Sequence, residues 1–158
     1  MGVFTHEMEV TSTLPTARVF KAYVLESDTI FPKAVPHAIK GVEYLQGTGA
    51  PGSIRMVSFV PGLGIEYLKE KVDVVDPDNL SYTYTVIESD VFKNMIEKIS
   101  YETKFSEAPN GGTIVNVTTK FYSVGDVEIK EEAIKDSLQN RSQIFKAVEE
   151  YLLANPDA

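Results

Sequence analysis

The sequence predicts an α+β fold in which a meander of antiparallel strands is covered on one side by a long C-terminal helix. Three observations lead to this prediction. Residues 3–12 alternate between apolar and polar side chains, as a half-buried strand does. Turn residues divide the stretch from 38 to 122 into further strand-like segments. Between 128 and 154, apolar residues recur at three- and four-residue steps, which is the spacing of one helix face.

Two short helices are expected after the first strand. Pro15 suits the first turn of a helix, and apolar residues follow it at helical spacing over 15–25. Ser27 and Asp28 are natural cap residues for a second helical segment that runs to Ala34. The two helices should therefore meet near residue 26.

Strand-like segments with turn residues at every junction occupy the middle of the chain. Glycine, proline, asparagine, serine or aspartate stands at each junction, and these residues punctuate β structure. Along one segment Ile99, Tyr101, Thr103 and Phe105 alternate with charged or hydroxyl residues, so one face should point inward. The segments cover about 38–46, 53–60, 65–75, 79–88, 92–106 and 112–122.

The C-terminal helix is predicted over 128–154, with Asp126 as its N-cap and Asn155 and Pro156 at its end. Its apolar stripe is interrupted by polar residues at 139–143. Polar residues at these positions would be destabilising against a packed core. They are tolerated beside an internal cavity, where polar groups can contact water or a ligand. Tyrosine and phenylalanine, eight of each, are numerous here and suit either a sheet core or a pocket wall.

Bulk composition narrows the classes of function. A length of 158 residues fits one domain over 1–158. The net charge of -8 disfavours nucleic acid as a partner, and no apolar stretch is long enough to cross a membrane. Absence of cysteine and of a signal peptide indicates a cytoplasmic protein, which we expect to be monomeric. His6 and His37 lack metal-binding spacing, so neither a metal nor a cofactor is predicted.

A glycine-rich loop, Gly-Thr-Gly-Ala-Pro-Gly-Ser at 47–53, has glycines spaced as in a phosphate-binding loop. A nucleotide loop needs lysine and then serine or threonine after the last glycine, followed by a helix. Here Ser53 and a β-branched strand follow instead. The loop is therefore interpreted as a rigid turn between two strands, formed by Gly47, Gly49, Ala50 and Gly52.

Several segments together resemble the plant pathogenesis-related class-10 proteins, the family of the major birch-pollen allergen. The element order matches, and the glycine loop stands between the second and third strands. The matching segments read Met-Gly-Val-Phe-Thr at 1–5, Tyr-Thr-Tyr-Thr-Val-Ile-Glu at 82–88, Ile-Glu-Lys-Ile-Ser-Tyr-Glu at 96–102 and Ala-Val-Glu-Glu-Tyr-Leu-Leu-Ala-Asn-Pro-Asp-Ala at 147–158.

The resemblance implies a helix-grip fold: a curved seven-stranded antiparallel sheet around the long helix, two short helices in a V and an internal cavity. It also implies a defence-related protein that binds amphipathic molecules such as cytokinins, flavonoids, sterols or fatty acids, with the glycine loop beside the cavity entrance. The implied lining is Tyr23, Val24, Phe31, Ile39, Val57, Phe59, Lys69, Glu70, Tyr82, Tyr84, Val86, Ile99, Tyr101, Leu138 and Arg141.

Three positions depart from the family pattern. Ala50 and Ser89 stand where glycine is common, so a positive φ is less accessible there. Arg141 stands at a cavity-facing place that is small in the birch-pollen protein. Its guanidinium would either narrow the cavity and pair with an anionic ligand, balanced by Glu70, or bend out to solvent.

The resemblance leaves enzymatic functions as alternatives. A condensing or isomerising enzyme similar to norcoclaurine synthase would need Lys69 and Glu70 to converge with Tyr82 or Tyr84. Ribonuclease activity has been proposed for the family, but RNA cleavage needs a base, an acid and a basic groove, and no such groove is visible in the sequence. The residues matching that proposal are Arg55, Glu97, Glu149 and Tyr151.

A third alternative is a hormone-responsive phosphatase regulator, because abscisic acid receptors share the fold. Their gate and latch sequences are not recognisable in this chain.

Overall fold

A seven-stranded antiparallel sheet dominates the computed structural model, which describes residues 2–156. Met1 and residues 157–158, which belong to two of the matching segments, lie outside the described residues. Strands β2 to β7 form a meander, and β1 joins its end beside β7. The strands are β1 (Val3–Ser12), β2 (Ile39–Gln46), β3 (Ile54–Phe59), β4 (Tyr67–Asp76), β5 (Ser81–Ser89), β6 (Ile96–Glu107) and β7 (Thr113–Ser123).

The helices are α1 (Thr16–Phe20), α2 (Ser27–Ala34) and α3 (Glu131–Ala154). A π-helical turn, Lys21–Leu25, continues α1, and the Glu26 N–H closes it by donating to the Lys21 carbonyl at 2.8 Å. The predicted junction near residue 26 is thereby confirmed. No described helix is both long and apolar enough to span a membrane.

Neither Ser27 nor Asp28 caps α2, because both lie inside the helix and its N-cap is Glu26. Two further predicted boundaries were wrong. Asp126 does not cap α3, because it lies in a turn after β7 and four further residues precede the helix, whose N-cap is Lys130. Strand β6 begins at Ile96 and not at residue 92, since Lys93 and Asn94 adopt positive φ values of 45° and 62°. Local turns therefore place the first residues of α3 and β6 later in the chain than predicted.

The inner face of the sheet follows the predicted alternation. Tyr82 and Tyr84 on β5 are buried, as are their β6 neighbours. In the register of the two strands, Tyr84 lies directly opposite Tyr101, so the rings become cross-strand neighbours. A continuous aromatic surface results on the concave side of the sheet.

The C-terminal half of α3 is fixed to the rest of the molecule. Val148 and Leu152 are fully buried. Arg18 of α1 donates to the carbonyls of Leu152, at 2.5 Å, and Asn155, at 2.8 Å, satisfying acceptors that a helix end leaves free. In the N-terminal half only Ile134 is buried. The helix is therefore held firmly at one end and stands over open space at the other.

Candidate functional site

A cavity of about 550 Å³ lies between the concave face of the sheet and the helices. The π-helical turn, α2 and one side of α3 form its other walls, and the loops after β3 and β5 border it. A volume of this size holds one small organic ligand. The cavity accounts for two residues of the polar gap in α3, Asn140 and Arg141, whereas residues 139, 142 and 143 are exposed.

All residues predicted to line the cavity do so except Val24, Lys69 and Leu138. Val24 is buried in the hydrophobic core, and Leu138 packs against this core. Lys69 lies between two cavity-facing residues of β4 and therefore points to the opposite face. Its Nζ lies 3.7 Å from a Glu88 carboxylate oxygen. That the lining residues bind a ligand stays a prediction.

Other cavity residues were not predicted. Those on β1 and β7 could have been found from strand alternation, because Met8 and Val10 share one face of β1, and Val115 and Val117 share one face of β7. The sequence indicated Arg55 only as part of the ribonuclease alternative, and the structure places it on the cavity wall.

Arg55 is the centre of a buried polar cluster. It lies directly opposite Glu70 in the β3–β4 pairing, and its Nε donates to Glu70 Oε1 at 2.7 Å. Nη1 donates to Ser27 Oγ at 3.1 Å, and Nη2 donates to Tyr82 Oη at 2.7 Å. Each guanidinium nitrogen thus has a protein partner. Burial lowers the pKa of Arg55, but Glu70, Tyr82 and Tyr84 together outweigh this effect, and the pKa is raised.

Arg141 occupies the opposite wall in a different manner. Its guanidinium carbon lies 4.1 Å from the centre of the Tyr101 ring and 5.4 Å from that of Tyr84. The two rings are themselves stacked at 5.0 Å. The side chain therefore lies in the cavity, and the alternative in which it bends out to solvent was wrong. Within residues 2–156, no carboxylate forms an ion pair with it at 4.0 Å or less.

The tyrosines of the cavity remain neutral hydroxyls over a wide pH range. Burial raises the pKa of Tyr82 to about 12, although Arg55 opposes the shift. Burial also raises the pKa of Tyr84 and of Tyr101, where Arg141 is the opposing influence. At neutral pH the walls hence present hydroxyl groups and two guanidinium cations.

Tyr23 connects the cavity to the fixed end of α3. Its ring stacks on Phe145 with centroids 4.6 Å apart, and its hydroxyl donates to the Phe145 carbonyl at 2.5 Å. Phe31 meets the Tyr23 ring edge-on at 5.8 Å. This aromatic cluster closes the cavity on the side of the π-helical turn.

Comparison with known proteins identifies the family. The model of the pathogenesis-related protein Bet v 1 family matches residues 1–155. The chain belongs to this family.

Similar proteins and structures agree. The major allergen Pru ar 1 of Prunus armeniaca is 49% identical over 158 residues, covering 100% of this chain and 99% of the relative. The major strawberry allergen Fra a 1-B of Fragaria ananassa is 46% identical, with coverages of 99% and 98%. The crystal structure of Ara h 8.0201 superposes with a TM-score of 0.88 at 36% identity and coverages of 98% and 100%.

An enzyme also shares the Bet v 1 fold. The structure of norcoclaurine synthase from Thalictrum flavum in complex with dopamine and hydroxybenzaldehyde matches with a TM-score of 0.75 at 18% identity, covering 98% of this chain and 88% of that one. This likeness concerns the fold alone.

Neither catalytic constellation weighed from the sequence is assembled in this family member. Lys69 points away from the cavity, and none of the described lining residues is a lysine. Of the four residues of the ribonuclease alternative, Arg55 is buried against Glu70, whereas Glu97 is exposed on β6, which β5 and β4 separate from β3. These side chains do not share one surface.

The glycine-rich loop is a rigid turn between β2 and β3, as predicted. The Gly49 N–H donates to Ser53 Oγ at 2.9 Å, and the Gly52 N–H donates to the Val72 carbonyl at 2.7 Å. Gly47 has a φ of 72°, and a Cβ there would lie 2.4 Å from Ser53 Oγ, so glycine is required. Ala50 and Ser89 are not in the positive-φ region, and both replace glycine without backbone strain. The loop itself does not line the cavity.

Proposed function

We propose that this chain binds and carries small amphipathic molecules in its cavity, as a single domain over residues 1–158. The cavity of about 550 Å³ with mainly apolar and aromatic walls is the observation that supports the proposal. Cytokinin-, flavonoid-, sterol- or fatty-acid-like compounds have the required character. We further propose that it acts as a monomer in the cytoplasm, in a defence-related role, without nucleic acid or membrane as partner.

The expected affinity follows from the apolar walls. Burying ~300 Å² of apolar ligand surface contributes about 7 kcal/mol at about 25 cal/mol per Å² before ordering costs. Since 1 μM corresponds to about 8 kcal/mol, dissociation constants should lie in the micromolar range.

A binding function is preferred to a catalytic one. The only carboxylates bordering the cavity in the described part of the chain are Glu70 and Asp136. Glu70 is held by Arg55, and the cavity offers no lysine amine for condensation. The relatives named above are allergens, which is compatible with a protein that binds and does not catalyse.

A pair of matched variants tests the proposal. Ser137 borders the cavity on α3, whereas Ser142 on the same helix is exposed and does not border it. Ser137→Phe should fill the cavity, and Ser142→Phe should leave it open. Titration with the neutral fluorescent dye 6-propionyl-2-(dimethylamino)naphthalene should show saturable emission enhancement for the wild type and Ser142→Phe.

Ser137→Phe should lose most of this enhancement while keeping its thermal transition. Equal dye binding by the two variants would show that the dye does not enter this cavity. Absence of binding by the wild type, both of the dye and of other amphipathic probes of similar size, would contradict the proposed function.

A further inference from the structure

The two arginines that border the cavity differ in how their donors are used. Every guanidinium nitrogen of Arg55 donates to a protein acceptor, and Glu70 balances its charge. Arg141 has no ion-pair partner among the described side chains, and the side chain placed to hydrogen-bond it is the neutral Tyr84 hydroxyl. A cation that borders a cavity without a counterion favours an anionic ligand, because burying a charge is costly unless it is paired.

The remaining charges around the cavity do not compensate Arg141. Glu70 favours the charge of Arg141 electrostatically, but from beyond ion-pair distance. Its carboxylate is already bonded to Arg55. Asp136 borders the cavity but is exposed, and it is not within 4.0 Å of the guanidinium. Arg141 therefore borders the cavity as a cation with no carboxylate within ion-pair distance among the described residues.

The guanidinium of Arg141 lies over aromatic rings and not beside a carboxylate. Its guanidinium carbon lies near the centre of the Tyr101 ring, at 4.1 Å, so that ring provides a cation–π contact. The N–H donors of a guanidinium lie in its own plane and form a fork that matches the two oxygens of a carboxylate. The stacked Tyr84 and Tyr101 rings extend this site as an apolar surface.

We propose that the cavity selects amphipathic molecules that carry one carboxylate, which binds the Arg141 guanidinium while an aromatic or aliphatic body lies along Tyr84 and Tyr101. This inference rests on the proposed function and specifies its ligand class. A charge-assisted fork is stronger than a neutral hydrogen bond. Neutral isosteres of the same size should therefore bind more weakly, and cationic ones more weakly still.

The test compares biphenyl-4-acetate with its primary amide, two probes of nearly equal shape that differ in charge. Isothermal titration of the wild type at pH 7 should show the acid binding at least about tenfold more tightly, which equals about 1.4 kcal/mol. Arg141→Gln should bring the two probes to within about twofold of each other, because the acid loses more binding than the amide. Arg141→Lys should keep part of the preference, since it retains the charge but not the fork.

The outcomes separate the two proposals. Equal binding of acid and amide by the wild type, or binding of the neutral dye alone, overturns the selection of carboxylates and leaves the binding function intact. A preference for the acid that survives Arg141→Gln also overturns it. Failure of dye, acid and amide together overturns the binding function itself.

Discussion

Each of the two walls of the cavity contains one arginine. The two arginines differ in whether a carboxylate balances the guanidinium charge. On the sheet wall, Arg55 is buried at 6% exposure with Glu70 directly opposite on the next strand. On the helix wall, Arg141 lies against the faces of two tyrosines and lacks a carboxylate partner within the described residues. On the sheet wall the charge of Arg55 is balanced without a ligand. On the helix wall the cation of Arg141 has no ion-pair partner among the described residues.

This difference follows from the elements that carry the residues. Antiparallel pairing holds Arg55 and Glu70 in one register, so their side chains meet on the same face. Arg141 lies in the half of α3 that borders the cavity, while the other half is fixed by Val148 and Leu152. The sheet therefore carries a structural ion pair. The helix carries the guanidinium that we propose to bind the ligand.

The largest expected effect comes from breaking the sheet wall. Glu70→Leu should lower the free energy of unfolding by about 3–5 kcal/mol, because it leaves the buried charge of Arg55 without its counterion. Urea denaturation measures the change. Arg55→Met combined with Glu70→Leu should recover most of the loss, since no unpaired charge remains. A loss below about 1 kcal/mol for Glu70→Leu would contradict this account of the sheet wall.

High pH should lower the free energy of unfolding through the buried tyrosines of the cavity. Unfolded tyrosines ionise near pH 10, whereas burial raises the pKa of Tyr82 to about 12 and also raises that of Tyr84. Above pH 10 the unfolded state therefore binds fewer protons than the folded state, and stability falls with pH. The contribution of Tyr82 is fully present below about pH 10 and is lost as the pH rises through 12.

The expected slope is about 1.4 kcal/mol per pH unit for each tyrosine that stays protonated only in the folded protein. Denaturation series at several pH values from 8 to about 11 measure it. Tyr82→Phe and Tyr84→Phe should each flatten the slope, and only Tyr82→Phe removes an acceptor of Arg55 at neutral pH. Slopes identical to the wild type in both variants would show that these hydroxyls ionise normally.

A smaller effect is expected for the helix wall. Arg141→Met should change the free energy of unfolding by less than about 1 kcal/mol, because the lost cation–π contacts are offset by removal of an unpaired buried charge. The same urea experiment measures it beside Glu70→Leu. A loss equal to that of Glu70→Leu would mean that Arg141 is a structural residue.

The smallest effect is expected on the outer face of the sheet. Glu88→Gln removes the partner of Lys69 in an exposed pair 3.7 Å apart. Such pairs contribute about 0–1 kcal/mol, so the midpoint of denaturation should hardly move. This variant is the matched control for Glu70→Leu, since both remove a carboxylate that is paired with a strand residue. A large loss for Glu88→Gln would weaken the distinction between inner and outer faces.

The sequence was sufficient for most of the fold. Alternation along β6 identified Tyr101 as inward-facing, because a strand's period of two is a local property. The starts of β6 and α3 were misplaced, since turns at 90–95 and 124–126 depend on backbone angles that many residue types adopt.

The candidate site was predicted less completely. Pairing of Arg55 with Glu70 depends on strand register, which the sequence does not specify between residues fifteen positions apart. The direction of Arg141 depends on the stacked rings supplied by two distant strands, whereas its long stem alone permits either direction. Lys69 was assigned to the cavity by resemblance, although its neighbours on β4 show that it must face outward.

Side-chain NMR distinguishes the two arginines in a single titration. In uniformly ¹⁵N-labelled protein, the Nε–H signals of Arg55 and Arg141 are assigned with Arg55→Lys and Arg141→Lys, and biphenyl-4-acetate is added to saturation. We expect the Arg141 signal to shift progressively and saturate, with the Arg55 signal nearly unchanged because its Nε–H remains bonded to Glu70. A shift of the Arg55 signal with a stationary Arg141 signal would contradict the assignment of structural and recognition roles to the two walls.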